Sequence, residues 1–229
     1  MCGRFAQQRP ASELAEIFDA EPLAEELGPR FNVAPTDPAF VVAQRDERRA
    51  ILAWSWGLVP HWAAEAAPRT GRRSPPFNAR AETLERSPLF AESFRRRRCI
   101  VPVDAFYEWR RELDGSRQPH AIRRADGRPL ALAGIWAGAR LPSGEVKRTF
   151  AIVTSGPNAA LAPLHDRMPV VVPEDAWDRW LDRSGPADGE LSALLGPNDR
   201  LDLEIYPVGR LVNSVRNDGP ELLERVAAS

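Results

Sequence analysis

The chain has few cysteines, no long hydrophobic run and no apolar segment close to its first residues. Its 229 residues include two cysteines, Cys2 and Cys99, too few for the disulfide framework of a small secreted protein. No stretch approaches the ~20 apolar residues of a transmembrane helix. The N-terminal sequence M-C-G-R-F-A-Q-Q-R-P lacks the apolar core of a secretory signal. These absences predict a cytoplasmic protein without a membrane partner.

Lysine is nearly absent as well. Lys147 is the single lysine among 31 lysine and arginine residues. Abundant arginine, alanine and proline are typical of a GC-rich genome, yet the lysine shortage has a chemical consequence. Any reaction that needs a neutral amine must use Lys147 or the amino terminus of the chain.

The remaining composition is that of an ordinary globular protein, with 43% hydrophobic residues and a formal net charge of −1. Without a Gly/Ser linker or an internal repeat, the chain is expected to form one domain over residues 1–229. The charge is segregated, because residues 69–98 hold nine arginines and three acids, whereas residues 174–204 hold nine acids and three arginines. This pattern favours either a basic face for a polyanion or a solvated loop.

Hydrophobic alternation and turn residues predict a mixture of strands and short helices. Strands are expected at Ala39–Gln44, Ile51–Val59, Cys99–Val103, Ala105–Arg110, Pro129–Ala137, Arg148–Thr154 and Leu201–Val208. Helices are expected at Ser12–Phe18 with Ser12 as N-cap, Glu174–Leu181, Gly189–Leu195 and Pro220–Ala227. Because no regular βαβ alternation is present, we predict an α+β fold with a largely antiparallel, barrel-like β core and peripheral short helices.

Cys2 offers chemistry that no other residue of this chain can provide. Methionine aminopeptidases remove an initiator methionine that precedes a small side chain, so the mature chain is expected to begin at Cys2. That residue then carries an α-amine of pKa ~7.7–8.0 and a thiol of pKa ~8.5. The pair can condense with an aldehyde to an imine and close a thiazolidine ring. A second residue in a frayed terminus is the common alternative.

Three further motifs place a polar side chain where it can do chemistry. Asn78 follows two prolines, Glu108 lies between two aromatic residues, and His165 precedes a short strand-like segment. By strand alternation Glu108 shares a face with Phe106, which predicts a buried carboxylate with a raised pKa. Such a group is suited to proton transfer. A turn asparagine, an exposed glutamate and a loop histidine remain the ordinary interpretations.

Seven segments, in this order, resemble the signature segments of the SOS-response-associated peptidase (SRAP) family. They are M-C-G-R-F at the N terminus, F-N-V-A-P at 31–35, W-G-L-V-P at 56–60, N-A-R-A-E-T at 78–83, D-A-F-Y-E-W at 104–109, H-D-R-M-P at 165–169 and V-N-S-V-R-N at 212–217. Members of this family shield abasic sites in single-stranded DNA. The resemblance spans essentially the whole chain.

The resemblance implies that Cys2 is the nucleophile. Its amine would form a Schiff base with the aldehyde of an abasic site, and its thiol would close a thiazolidine, a DNA–protein cross-link that protects the lesion during replication. Asn78 would hold the amine and the sugar in register, Glu108 would transfer protons, and His165 would act as acid or base on the sugar or in the reverse reaction. Abasic-site lyase activity and autocatalytic removal of Met1 are also implied, without a cofactor.

The resemblance also assigns residues that bind DNA. Single-stranded DNA is held by basic side chains on phosphates and by aromatic side chains on bases. The implied contacts are Arg4, Arg80, Arg86 and Arg167 to phosphates and Trp62 to a neighbouring base. We therefore expect single-stranded DNA with abasic sites as the partner, the replication machinery as a further partner, and a monomer associated with the nucleoid.

Two other functions remain open on the sequence. A cysteine hydrolase with Cys2 as nucleophile and His165 as base would share its N-terminal Cys-Gly with class II glutamine amidotransferases. A plain single-strand binder that uses residues 69–98 would bind intact and abasic strands equally and form no adduct. A zinc site is not expected, because His61, His120, His165 and the two cysteines show no ligand spacing.

Overall fold

The computed structural model describes residues 2–63, 75–141, 143–183 and 189–227. The strands of these residues are β1 (Phe5–Gln7), β2 (Ala20–Pro22), β3 (Arg30–Val33), β4 (Pro38–Arg45), β5 (Arg48–Trp56), β6 (Asn78–Arg80), β7 (Arg98–Val103), β8 (Ala105–Arg111), β9 (Arg117–Arg124), β10 (Leu130–Arg140), β11 (Val146–Ser155), β12 (Met168–Pro169) and β13 (Leu203–Pro207). The α-helices are α1 (Ala11–Phe18), α2 (Ala91–Arg96), α3 (Trp177–Leu181) and α4 (Gly189–Ala193). Single 3₁₀ turns lie at His61–Ala63, Ala81–Thr83, Glu174–Ala176, Arg210–Asn213 and Pro220–Leu223.

Five strands close into a barrel. Neighbouring strands pair antiparallel from β11 through β10, β7 and β4 to β5. A parallel contact between β5 and β11, at Ser55 and Thr149, completes the ring. Closure pairs the strand edges that an open sheet would expose. The predicted α+β fold with a largely antiparallel, barrel-like core is therefore confirmed.

Alternation along the barrel strands separates an inner from an outer apolar layer. In β4, Val41 and Ala43 join one buried cluster, whereas Phe40 and Val42 belong to another. The cluster of Val41 contains apolar side chains from all five barrel strands and fills the interior, and Cys2 belongs to it. The cluster of Phe40 packs against α1, α2 and α3, which cover the outside of the barrel.

A second sheet brings the start of the chain to one end of the barrel. Its strand order is β13-β9-β8-β1-β3. In β1, Phe5 pairs with Phe106 of β8 and with Val33 of β3. The Phe5 ring also lies 4.9 Å from the Trp56 ring at the end of β5. The residues before β1 are thereby held between the second sheet and this end of the barrel.

The predicted strands are confirmed with shifts of a few residues at their ends. The largest shift is at the second strand, which ends at Trp56 rather than at Val59. There Gly57 has a φ of 132°, a backbone conformation that other residues rarely adopt. The strand pattern did not reveal β1, β2, β3, β6 or β9, because four of these strands have only three or four residues and β9 carries four charged or amide side chains.

Two helix predictions are wrong in detail. Ser12 is not an N-cap: Pro10 takes that position without a side-chain cap, and the Ala11 N–H is bound instead by the Glu26 carboxylate at 3.1 Å. The predicted helix at Pro220–Ala227 is a single 3₁₀ turn that ends at Leu223. Beyond it the chain is extended and pairs with the end of β13. Among the described residues, no helix has the length and apolar character needed to cross a membrane.

Candidate active site

Cys2 is fully buried at the end of the barrel. Two residues later the backbone is held by β8, because the Tyr107 N–H donates to the Arg4 carbonyl at 3.0 Å. The thiol Sγ lies 3.9 Å from the same carbonyl. Burial, with the nearby Glu108 charge, raises the pKa of the Cys2 thiol far above its usual range. The sulfur is therefore a protonated thiol at neutral pH and needs a base before it can act as a nucleophile.

Asn78 is positioned against Cys2 by the pairing of β6 with β11. Ile152 of β11 is the register partner of Asn78, and the Asn78 Nδ2–H donates to the Cys2 carbonyl at 2.7 Å. Its Oδ1 atom is buried and has no hydrogen-bond partner among the described residues. The amide orientation follows from this hydrogen bond. Asn78 thus fixes Cys2 with one end and offers an acceptor with the other.

Glu108 lies in β8 with its side chain buried, as strand alternation with Phe106 predicts. Burial raises the pKa of its carboxyl to about 7. A carboxyl with this pKa is partly protonated at neutral pH and can both donate and accept a proton.

His165 faces Glu108 across the site. Its Nε2 lies 3.8 Å from Glu108 Oε2, and its Nδ1 accepts the Arg167 N–H at 3.0 Å. An acceptor at Nδ1 places the imidazole proton on Nε2 in the neutral ring. Asp166 Oδ1 also lies 2.9 Å from Nδ1, but its side chain is 87% exposed, so we assign Nδ1 to the fixed backbone amide. Burial lowers the pKa of His165, which keeps the ring neutral at neutral pH.

Arg4 and Asn32 connect the N-terminal segment to the C-terminal part of the chain. Arg4 Nη1 donates to Asn32 Oδ1 at 3.0 Å and to the Val212 carbonyl at 2.9 Å. The Asn32 Nδ2 group donates in turn to the carbonyls of Ser214 and Asn217. Asn32 is a functional candidate to which the sequence analysis gave no role, although it lies in the F-N-V-A-P segment. Arg4 is half-buried, and its Nη1 group is already used in these two hydrogen bonds.

The C-terminal segment also contacts the strand that carries Glu108. Trp109 Nε1–H donates to Asn213 Oδ1 at 2.7 Å. This bond orients the indole immediately after Glu108 and gives Asn213 a structural role.

The proposed DNA contacts fall into two groups. Arg80 and Arg86 are exposed, and Trp62 is 53% exposed in the 3₁₀ turn at His61–Ala63. Arg167 is different, because its guanidinium pairs with Glu82 through two hydrogen bonds and donates to the Thr154 carbonyl at 2.6 Å. Arg4 is likewise held by hydrogen bonds within the protein.

The predicted basic face at residues 69–98 is only partly available. Arg69, Arg72 and Arg73 lie outside the described residues. Arg98 cannot contribute, because its side chain is buried and fully committed inside the protein. Its guanidinium donates to the carbonyls of Phe94, Arg95, Trp180 and Asp182. Including Arg98 in a DNA-binding face was therefore wrong.

The site has the parts of an acid–base centre around one thiol. Cys2, Asn78, Glu108 and His165 converge at the end of the barrel, although they come from four separate parts of the chain. Within the residues described, no group of three His, Cys, Asp or Glu side chains could hold a metal ion.

Comparisons with known proteins place the chain among related sequences. The family model described as SOS response associated peptidase (SRAP) matches residues 1–215. Abasic site processing protein YoqW of Bacillus subtilis is 34% identical over 98% of this chain and 99% of its own length. Abasic site processing protein YedK of Escherichia coli is 33% identical over 99% and 100%. A crystal structure of a Bacteroides thetaiotaomicron protein superimposes with a TM-score of 0.88 at 24% identity, covering 99% of this chain and 100% of that chain, and shows the same fold.

Proposed function

The chain belongs to the SOS response associated peptidase (SRAP) family, and we propose that it captures abasic sites of single-stranded DNA as a covalent adduct on Cys2. Two curated relatives that match it over nearly full length are named abasic site processing proteins. The observation that carries the proposal is the burial of Cys2 between a carboxyl of pKa about 7 and the amide of Asn78.

The reaction begins once Met1 has been removed and the α-amine belongs to Cys2. The neutral amine adds to the C1′ aldehyde of the ring-opened abasic sugar, and the resulting carbinolamine loses water to give an imine. The sulfur then adds to the imine carbon after the thiol has given up its proton, and the ring nitrogen keeps the hydrogen that the protonated imine carried. The product is a thiazolidine, in which C1′ is bonded to both nitrogen and sulfur and one water molecule has been released.

Glu108 is suited to two of the proton transfers in this sequence, one at the loss of water and one at the addition of sulfur. In its protonated form it gives a proton to the departing hydroxyl of the carbinolamine. The resulting carboxylate then accepts the proton of the Cys2 thiol, whose raised pKa makes an external base necessary. The pKa of about 7 allows one group to perform both steps near neutral pH.

His165 and Asn78 act on either side of this carboxyl. The Nε2 of His165 lies 3.8 Å from Glu108 Oε2, and its N–H can donate a hydrogen bond to the sugar ring oxygen as the ring opens. Asn78 holds the Cys2 carbonyl, so the amine and the thiol face the same sugar carbon. The exposed Arg80, Arg86 and Trp62 bind the strand on both sides of the lesion.

The same geometry disfavours a cysteine hydrolase. Such an enzyme needs a thiolate activated by a neighbouring base, usually at a lowered pKa. Here the pKa of the Cys2 thiol is raised by burial and by the Glu108 charge. A thiol that loses its proton only when it adds to an imine carbon fits aldehyde capture better.

Intact mass spectrometry tests the proposal. The mature protein is incubated with an abasic single-stranded oligonucleotide and, in parallel, with the undamaged strand. The expected adduct equals the sum of the two masses less one water and survives denaturant. Cys2→Ala should abolish it, and Cys99→Ala, which removes the other buried thiol, should leave it unchanged. A stable adduct with the Cys2→Ala protein would refute the proposal.

A further inference from the structure

We propose that Glu82 is a positioning residue that fixes the His165 ring through Arg167. The inference rests on the proposed function, because it concerns how fast the adduct forms. Glu82 lies on the 3₁₀ turn Ala81–Thr83, and its carboxylate accepts hydrogen bonds from the Arg167 guanidinium.

Glu82 holds the Arg167 guanidinium by a paired ionic interaction. The two guanidinium nitrogens of Arg167 meet the two carboxylate oxygens of Glu82, and the Nη2–Oε2 distance is 3.0 Å. A paired arrangement of this kind fixes direction as well as distance. Arg167 Nη2 also donates to the Thr154 carbonyl, which anchors the guanidinium to β11. The Arg167 side chain is 13% exposed, so the pair is only partly screened by solvent.

The backbone of Arg167 orients the His165 ring. The backbone N–H of Arg167 donates to His165 Nδ1 at 3.0 Å. Because this bond occupies Nδ1, the neutral ring carries its proton on Nε2, the atom that lies 3.8 Å from Glu108 Oε2. Fixing the Arg167 side chain therefore fixes the backbone that selects the His165 tautomer.

Glu82 connects two separate parts of the site. The short segment from β6 into its 3₁₀ turn carries Asn78, which binds the Cys2 carbonyl, and Glu82 four residues later. Arg167 directly precedes β12, which pairs with β11. The Glu82–Arg167 pair thus holds the segment that orients the nucleophile against the segment that orients the histidine.

Single-turnover kinetics of adduct formation separate this role from DNA binding. With mature protein in saturating excess over an abasic oligonucleotide, Glu82→Ala should lower the limiting rate constant roughly tenfold, since the ring is no longer held in its reactive geometry. Glu82→Gln keeps one acceptor oxygen and should show an intermediate rate.

Glu85→Ala is the matched control. It removes a carboxylate three residues away on the same exposed surface and should retain the wild-type rate. The concentration giving half the limiting rate should not rise in the Glu82 variants, because Arg167 becomes freer to contact phosphate.

The ¹⁵N spectrum of the imidazoles provides a readout that does not depend on catalysis. The chain has three histidines, so His165 is assigned by comparison with a His165→Gln protein. At pH 7.5 the wild type should show the neutral tautomer with the proton on Nε2, and Glu82→Ala should show a mixture of both tautomers.

The outcomes separate the two proposals. An unchanged limiting rate in Glu82→Ala, or a change confined to DNA affinity, overturns the positioning role. An unchanged tautomer overturns it as well. If the wild-type protein forms no adduct at all, the proposed function fails, and the tautomer in Glu82→Ala still decides whether Glu82 orients His165.

Discussion

At the scale of single residues, the site is built at the expense of stability. Glu108 has a folded-state pKa of about 7 against an ordinary 4.5, because burial disfavours its charge. Below pH 4.5 the group is protonated in both the folded and unfolded states and costs nothing. Between pH 4.5 and 7 the unfolded state releases the proton first, so the folded state loses stability, and above pH 7 the loss is complete.

We therefore predict that Glu108→Gln stabilises the protein while it impairs adduct formation. At pH 8 the free energy of unfolding should rise by about 3 kcal/mol, the equivalent of a shift of about 2.5 pKa units. Urea denaturation at pH 8 and pH 4 measures this, and the gain should nearly vanish at the lower pH. A Glu108→Gln protein that is less stable than the wild type at pH 8 would show that the buried charge is well compensated.

Asn78 acts through hydrogen bonds rather than through charge. Asn78→Asp keeps the size of the side chain but removes the N–H that reaches the Cys2 carbonyl at 2.7 Å. It also places a carboxylate oxygen against the oxygen of that carbonyl. We predict an adduct rate on the order of a hundredfold lower, because the amine and thiol lose their alignment. Gel-resolved time courses measure the rate, and equal rates for the variant and the wild type would remove Asn78 from the mechanism.

At the scale of elements, the buried amide of Asn32 is one of the groups that hold the C-terminal segment. Asn32 in β3 donates to the carbonyls of Ser214 and Asn217 and accepts from Arg4. Asn32→Ala leaves the carbonyls of Ser214 and Asn217 without this donor, which costs about 1–3 kcal/mol. Denaturation should show the loss, and hydrogen exchange should show faster opening of residues 210–217. Unchanged exchange of residues 210–217 in the variant would contradict this anchoring.

The elements that sequence reasoning predicted differ physically from those it missed. The strands β4, β7, β10 and β11 carry β-branched and apolar residues over six to eleven positions, enough for a clear pattern. By contrast, β1 and β6 have three residues each and are strands because longer neighbours pair with them. Their pairing partners lie far away in the chain, so no local pattern reveals them.

At the scale of the whole molecule, the same distinction applies to the candidate site. The burial of Glu108 was predictable, because it depends on alternation within β8. The pairing of Arg167 with Glu82 was not, because 85 positions separate them and both are ordinary charged residues in the sequence. Arg98 shows the converse error: an arginine in a basic run is buried, since its guanidinium satisfies the carbonyl ends of α2 and α3.

Binding of the intact DNA strand depends on how this nearly neutral molecule distributes its charge. With a formal net charge of −1, long-range attraction is weak, and affinity for the strand must come from local arginines such as Arg80 and Arg86.

Each phosphate neutralised on a single strand contributes about 0.7 to the slope of log affinity against log salt. We predict that Arg80→Ala and Arg86→Ala each reduce the slope by about this amount in anisotropy titrations with an intact strand. Arg48→Ala is the matched control, because Arg48 is 79% exposed at the start of β5, the end of that strand away from Trp56 and Phe5. If all three variants keep the wild-type slope, the exposed arginines beside β6 do not touch the phosphates.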